Sequence, residues 1–197
     1  MNTATKNVEA KTATQHGQQS NAYMRTPGES VTGNVEYAIK QTKLGQILVA
    51  TTSHGICAIL FGDDQHELVE NLSKHLPDAI LRRDDATIQP ATEKVVKFIE
   101  APFGVFDAPL DIGGTLFQQQ VWRALREIPA GQTLSYADVA LKIGRPTAVR
   151  AVAGACAANA IAVAIPCHRV VRNDGTISGY RWGTQLKMQL LGMEAQA

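Results

Sequence analysis

The chain has 197 residues, 45% of them hydrophobic and 19% charged, with a formal net charge of +1. That is enough for one ordinary domain or two small ones around a packed core. Three cysteines, at 57, 156 and 167, form no paired spacing, no Cys-x-x-Cys and no zinc-like cluster with histidine, so neither a disulfide framework nor a structural metal is expected. No apolar run approaches a membrane span and the N-terminus lacks the apolar core of a signal peptide, which predicts no membrane association and a cytoplasmic setting.

Residues 1–33 are rich in Thr, Gln, Asn, Ser and Gly and are predicted to form a disordered tail. From residue 34 the pattern changes. Val35, Tyr37 and Ile39 alternate with polar neighbours, as in a half-buried strand. Residues 46–51 and 56–61 are apolar runs divided by Ser53-His54-Gly55, which reads as a hairpin. Residues 63–75 form a helical pattern with Asp63 or Asp64 as cap and Leu68, Leu72 and Leu76 along one face. A second helix is expected over 87–101, with Val95, Val96 and Ile99 inward. This half reads as a small sheet with one or two helices, and it carries no chemical motif.

Gly113-Gly114 marks the predicted boundary between an N-terminal part, 34–112, and a C-terminal part, 113–197. Residues 115–128 follow, with Phe117, Val121, Ala124, Leu125 and Ile128 at helical spacing, until Pro129-Ala130-Gly131 ends the run. Ser135 caps a short helix holding Tyr136, Val139, Ala140 and Ile143. After the break at Gly144-Arg145-Pro146, Thr147 opens a helix to about Ala158. Two short helices about a Gly-containing turn make a helix-turn-helix pattern. In the second of them Ala148, Val152 and Cys156 fall on one face, assigned to the core. The other side offers Thr147, Arg150, Ala151, Gly154 and Ala158. Close helix–helix packing and close approach to an external surface both favour such small residues. Charge favours the second: residues 1–112 carry 10 Lys+Arg against 14 Asp+Glu, whereas 113–197 carry 9 against 4. The excess is modest and chance is the plain reading, but it tips the choice toward a polyanion, with DNA the expected one.

The apolar segment Ile161-Ala162-Val163-Ala164-Ile165 predicts a buried strand ending at Pro166. Cys167 then follows with His168 as its neighbour. Buried cysteines are most often inert packing residues, but a thiol near an imidazole is drawn toward thiolate, the reactive form. Cys57 and Cys156 read as packing residues.

Pro166-Cys167-His168-Arg169-Val170, with Asn159 upstream and Ser178-Gly179-Tyr180 downstream, resembles the methylated-DNA–protein-cysteine methyltransferases. The likeness runs from about Asn34 to Glu194. Arg172-Asn173-Asp174-Gly175 and Ser178-Gly179-Tyr180-Arg181-Trp182-Gly183 are especially similar to the C-terminal domains of bacterial Ada proteins. The resemblance implies an α/β protein, with an N-terminal ribonuclease-H-like sheet domain and a mostly helical C-terminal domain holding the helix-turn-helix and an active-site loop. It implies single-turnover transfer of the alkyl group from O6-methylguanine, and less well O4-methylthymine, in double-stranded DNA to Cys167 after base flipping. His168 would remove the thiol proton through a water, and Glu194 would orient His168. Asn159 would tie the turn, Tyr136 would donate a proton toward the leaving base, and Arg150 would fill the gap left by that base. Val170, Tyr180, Arg181 and Trp182 would line the pocket, with the carbonyls of Cys167 and Val170 reading guanine. Thr147, Ala151 and Gly154 would face the minor groove with little sequence specificity. No cofactor is implied, and a monomer is expected.

Each assignment has a plain reading beside it: a core tyrosine at 136, a solvated arginine at 150, a helix cap at Asn159, a surface carboxylate at Glu194. The chain also departs from its relatives. Its first 33 residues hold no cysteine, so neither phosphotriester repair nor methyl-triggered transcription is expected, and residues for the structural zinc of some relatives are absent. Arg181 and Trp182 stand where several relatives have smaller residues, which predicts a narrow pocket favouring methyl over benzyl adducts. The other function weighed is a non-catalytic lesion sensor that recruits other repair; that class lacks the nucleophilic cysteine. A Cys-His hydrolase would need an oxyanion site, for which nothing in the sequence speaks.

Overall fold

The computed structural model describes residues 21–195. Six strands form one sheet: β1 (Ala22–Met24), β2 (Gly33–Thr42), β3 (Gly45–Thr52), β4 (Gly55–Gly62), β5 (Ala79–Arg83) and β6 (Leu110–Ile112), in the order β1-β6-β4-β3-β2-β5. The meander β2-β3-β4 is antiparallel, and β5, β6 and β1 join it in parallel. Alternation along β3 sends Ile47 and Val49 into one apolar cluster and Leu48 and Ala50 into another, so both faces of the sheet are covered. Helix α1 (Gln65–His75) covers the second face with Leu68 and Leu72. Helix α2 (Gln89–Glu100) covers the first with Val95 and Ile99, Val96 being half-buried. Asp64 is the cap of α1, its carboxylate accepting from the Glu67 amide. The 53–55 turn is tight: a Cβ on Gly55 would lie 2.5 Å from the Pro109 carbonyl oxygen, and φ there is +141°.

The predicted tail requires correction. Residues 1–20 lie outside the described residues, but Ala22–Met24 is a strand and Arg25 is buried. Arg25 grips Asp111 of β6 with two hydrogen bonds, Nε to Oδ1 at 2.7 Å and Nη2 to Oδ2 at 2.6 Å. Thr52 donates a third to Oδ2 at 2.6 Å. Composition hid this segment because it is held by backbone pairing and one buried ion pair rather than by apolar bulk.

The first face of the sheet shares its core with the helical half. Helix α3 (Leu116–Arg126) contributes Val121, Trp122 and Leu125 to that cluster, α5 (Val149–Ala158) contributes Val152 and Cys156, and α6 (Thr184–Glu194) contributes Leu186 and Leu190. Between α3 and α5 lies α4 (Tyr136–Lys142), preceded by the two-residue strand β7 (Leu134–Ser135). β7 pairs in parallel with β8 (Val170–Val171), just after the cysteine turn. No helix among the described residues is long and apolar enough to cross a membrane, and no group of three or more His, Cys, Asp or Glu among them could hold a metal ion.

Two further expectations change. The helix after the Gly144 break starts at Val149 with Ala148 as its cap, and Thr147 sits in the preceding turn. The 161–165 segment is not a strand. Ile161 makes a single parallel bridge to Ile59, and the chain then turns, with Val163 at φ +58°. The segment is apolar because it is wedged between sheet and helices and buried throughout; apolar content alone does not distinguish a strand from a buried turn.

Candidate active site

Each functional side chain is placed by a local device. A reciprocal capping box starts α4: the Asp138 amide donates to Ser135 Oγ at 3.1 Å and the Ser135 amide donates to Asp138 Oδ2 at 2.8 Å. This fixes Tyr136 as the first helical residue, and the β7–β8 pairing sets that helix start beside the cysteine turn. Asn159, the C-cap of α5, is fully buried. Its Oδ1 accepts from the Ile161 amide at 2.9 Å, while Nδ2 donates to the Ile165 carbonyl at 2.8 Å and to Cys167 Sγ at 3.2 Å. Asn159 is thus both the helix cap and the clamp that holds the thiol.

Cys167 opens a 3-10 turn, Cys167–Arg169, and its side chain is buried. Burial pushes its thiol up to about 11, against the Asn159 hydrogen bond and the nearby Lys187 charge. The resting group is therefore a thiol, and a base must take its proton. His168 Nε2 lies 2.8 Å from Glu194 Oε1, both buried. Burial opposes the charge of Glu194, but hydrogen bonds from His168 and Arg169 and the positive charge beside it more than offset this, holding its carboxyl at about 2. An ionised carboxylate only accepts, so Nε2 carries the imidazole proton and Nδ1 presents a lone pair. Burial also holds His168 below its ordinary range despite Glu194, which keeps it neutral and able to accept. Nδ1 is buried and has no hydrogen-bond partner among the described residues. Its open valence is not bonded directly to Sγ, and a bridging water between polar groups is the usual solution for such a site.

Arg169 was not singled out from the sequence, yet it completes the cluster. Its guanidinium donates to both oxygens of Glu194, at 2.8 Å from Nη2 to Oε1 and 3.0 Å from Nε to Oε2, and to the Ile128 carbonyl. Lys187 was missed as well. It is fully buried on α6, seven residues before Glu194 and so on the same helical face, which is the signal the sequence did offer. Its ammonium donates to the Val170 carbonyl and to Ser178 Oγ. Tyr136 Oη is 2.6 Å from that same Ser178 Oγ.

The Val170 carbonyl thus already accepts from Lys187, and the Cys167 carbonyl accepts from the Val170 amide. Each keeps one lone pair for an incoming base. Tyr180 packs edge-on against His168 with its hydroxyl buried and unpartnered. Trp182 is turned toward the sheet, edge-on to Tyr180 and Phe61, and Arg181 stacks over it while donating to the Asn159 carbonyl at 3.3 Å. Arg181 is therefore linked to the thiol through Asn159, and Trp182 to His168 through Tyr180. A cavity of about 840 Å³ lined by Met24, Phe98, Phe103, Arg123, Arg126 and Pro166 does not include Cys167.

Thr147, Arg150, Ala151 and Gly154 are exposed together on and before α5. Gly154 bears on the two readings of this small-residue face. A Cβ there would meet nothing within 4 Å, and its φ is not positive. A mid-helix glycine is less favourable than alanine by about 1 kcal/mol, and no packing contact among the described residues requires glycine here.

The sheet is thus joined to a helical half with two short successive helices, α4 and α5, whose C-cap Asn159 holds Cys167 next to the buried His168–Glu194 pair. The family model for the 6-O-methylguanine DNA methyltransferase ribonuclease-like domain matches residues 35–112, and that for the 6-O-methylguanine DNA methyltransferase DNA binding domain matches 116–196. The inducible methylated-DNA–protein-cysteine methyltransferase of Bacillus subtilis (strain 168) is 39% identical over 153 residues, 76% of this chain and 84% of that protein. The bifunctional transcriptional activator/DNA repair enzyme Ada of Escherichia coli (strain K12) is 52% identical over 162 residues, 82% of this chain and 46% of that protein. The crystal structure of Mycobacterium tuberculosis O6-methylguanine methyltransferase superposes with a TM-score of 0.69 at 30% identity, covering 82% of this chain and 93% of that one. This chain belongs to the methylated-DNA–protein-cysteine methyltransferase family. It spans about half the length of the Ada proteins it matches.

Proposed function

We propose that the chain repairs O6-methylguanine, and less well O4-methylthymine, in double-stranded DNA by moving the alkyl group irreversibly to Cys167. Residues 113–197 act as the DNA-binding alkyltransferase part and 34–112 as the ribonuclease-like part that backs it. The observation that carries the reading is the open Nδ1 of a neutral, Glu194-anchored His168 next to a buried thiol. The thiol proton passes to Nδ1 through a water. The Sγ–carbon bond then forms as the carbon–O6 bond breaks, and its electron pair leaves on the base, which takes a proton from Tyr136. Because the thiol is buried, the base must leave the duplex to reach it. Arg150 fills the vacated stack while Thr147, Ala151 and Gly154 lie in the minor groove with little base readout. Tyr180, flanked by Arg181 and Trp182, limits the pocket and favours methyl over benzyl groups. No cofactor enters this chemistry. The protein acts as a monomer in the cytoplasm.

The test is incubation with duplex DNA carrying one O6-methylguanine, followed by mass spectrometry of the Cys167 peptide. One methyl group per chain on Cys167, absent in Cys167→Ala, is expected. Tight lesion binding with an unmodified Cys167 would replace this reading with the lesion sensor.

A further inference from the structure

The cavity of about 840 Å³ lies where the two halves of the chain meet, and its walls differ in chemistry. The sheet half supplies an apolar wall: Met24 of β1, Phe98 of α2, and Phe103, Val105 and Phe106 from the segment that leads into β6. Phe98 and Phe106 pack edge-on with ring centroids 5.2 Å apart. Beside them Phe103 and Val105 are left 48% and 70% exposed. Apolar side chains kept in solvent around a concave site mark a place where something apolar binds.

The helical half supplies a basic wall. Arg123 and Arg126 stand three residues apart on α3 and so share a face. Neither has an ion pair or a side-chain hydrogen bond among the described residues. Glu127, the one carboxylate in the lining, pairs with Lys142 at 3.0 Å, and Arg169 is taken up by Glu194 and the Ile128 carbonyl. A position in the last turn of α3 suits both arginines to the helix dipole. It does not account for Arg126 being half-buried beside aromatic side chains with no anion to meet it. Burial lowers the Arg126 pKa from its ordinary value, so its charge is held at a cost that an entering anion would offset.

We propose that this cavity binds a small amphiphilic anion, an apolar body carrying one carboxylate. The body lies against Phe98, Phe103 and Val105. The carboxylate accepts from the guanidinium of Arg126, and the more exposed Arg123 adds a second positive charge. A guanidinium fork facing a carboxylate gives a charge-assisted pair with a fixed geometry, so one wall orients the head and the other holds the body. The volume is in the range of small-molecule sites. Cys167 is not in the lining, so an occupant leaves the thiol uncovered. It does touch Pro166 and Arg169, the residues on either side of Cys167 and His168. Such a site is independent of the alkyl-transfer reading.

The experiment is calorimetric titration of the full chain with octanoate, with octanol and acetate titrated in parallel. Octanoate is expected to bind once per chain, roughly tenfold or more tightly than either of the others, because octanol lacks the charge and acetate lacks the body. Arg126→Gln is expected to weaken octanoate roughly tenfold and to leave the weaker binding of octanol unchanged, which shows that the cavity still forms. Phe103→Ser is expected to weaken octanoate and octanol alike. Octanoate binding no tighter than octanol or acetate, undiminished binding in Arg126→Gln, or no octanoate binding by the unsubstituted chain would overturn the proposal.

Discussion

Asp111 and Glu194 are both buried carboxylates clamped by an arginine, one in each half of the chain. Around Asp111 the circuit is closed: Arg25 supplies two donors, Thr52 a third, and Gln119 donates to the Arg25 carbonyl at 2.9 Å. Around Glu194 it is open at one atom. Arg169 fills both oxygens and His168 bonds one of them, but the far nitrogen of His168 faces no protein partner among the described residues. A buried ion pair therefore does not by itself mark a site. What distinguishes the second cluster is a buried acceptor that no protein group among the described residues fills, on the residue next to the cysteine.

That contrast can be broken most directly at Glu194. Glu194→Ala should slow methyl transfer by 100-fold or more, since the base loses its anchor. It should also destabilise the fold by about 3–5 kcal/mol, because Arg169 is left buried and unpaired; single-turnover kinetics and urea unfolding read the two effects separately. Asp111→Ala should have only the second effect. A loss of about 3–5 kcal/mol from stranding Arg25 is expected, with the transfer rate of the folded protein unchanged. Slowed transfer in that variant would remove the distinction between the clusters.

Acid sharpens the comparison further. Glu194 is held at about 2 against an ordinary 4.5, so its stabilisation is complete above the ordinary carboxylate range and is lost as pH falls from there toward about 2. The full effect is roughly 3 kcal/mol by linkage. His168 is depressed by burial below 6.5, so the unfolded chain takes up a proton that the folded chain refuses, and stability already declines below that pH. Urea midpoints of the unsubstituted protein and of Glu194→Gln should thus differ most near neutral pH and converge as pH drops toward about 2. The smallest effect belongs to the surface. Arg150→Ala should leave stability within about 0.5 kcal/mol and lower repair of duplex lesions about tenfold, equivalent to part of the few kcal/mol that base flipping requires.

The parts of this arrangement that were legible in the sequence are those fixed by local chemistry. The 53–55 hairpin, the Asp64 cap, and the Ser135 cap that positions Tyr136 each announce themselves within four residues. What was hidden is held from a distance. β5 has mixed polarity and is only partly buried, and β1 depends on β6 and on the Arg25–Asp111 pair 86 residues apart. The 161–165 run looked like a strand because burial from several sides erases periodicity. At the site, the adjacent Cys167 and His168 were readable, while Arg169 was given no role beyond its place in the motif and Lys187 was not singled out, because both owe their burial to distant parts of the chain.

The pairing of β7 with β8 ties the start of α4 to the cysteine turn, so on the proposed function the part that touches DNA and the part that reacts are joined directly. In a catalyst that turns over, a stiff pocket is a liability, because products must escape and opening often limits the rate. On the proposed function the alkyl group stays on Cys167, so only the repaired DNA has to leave and no small product must escape from the pocket. On that reading the bracing of the pocket does not have to be undone for a second turnover.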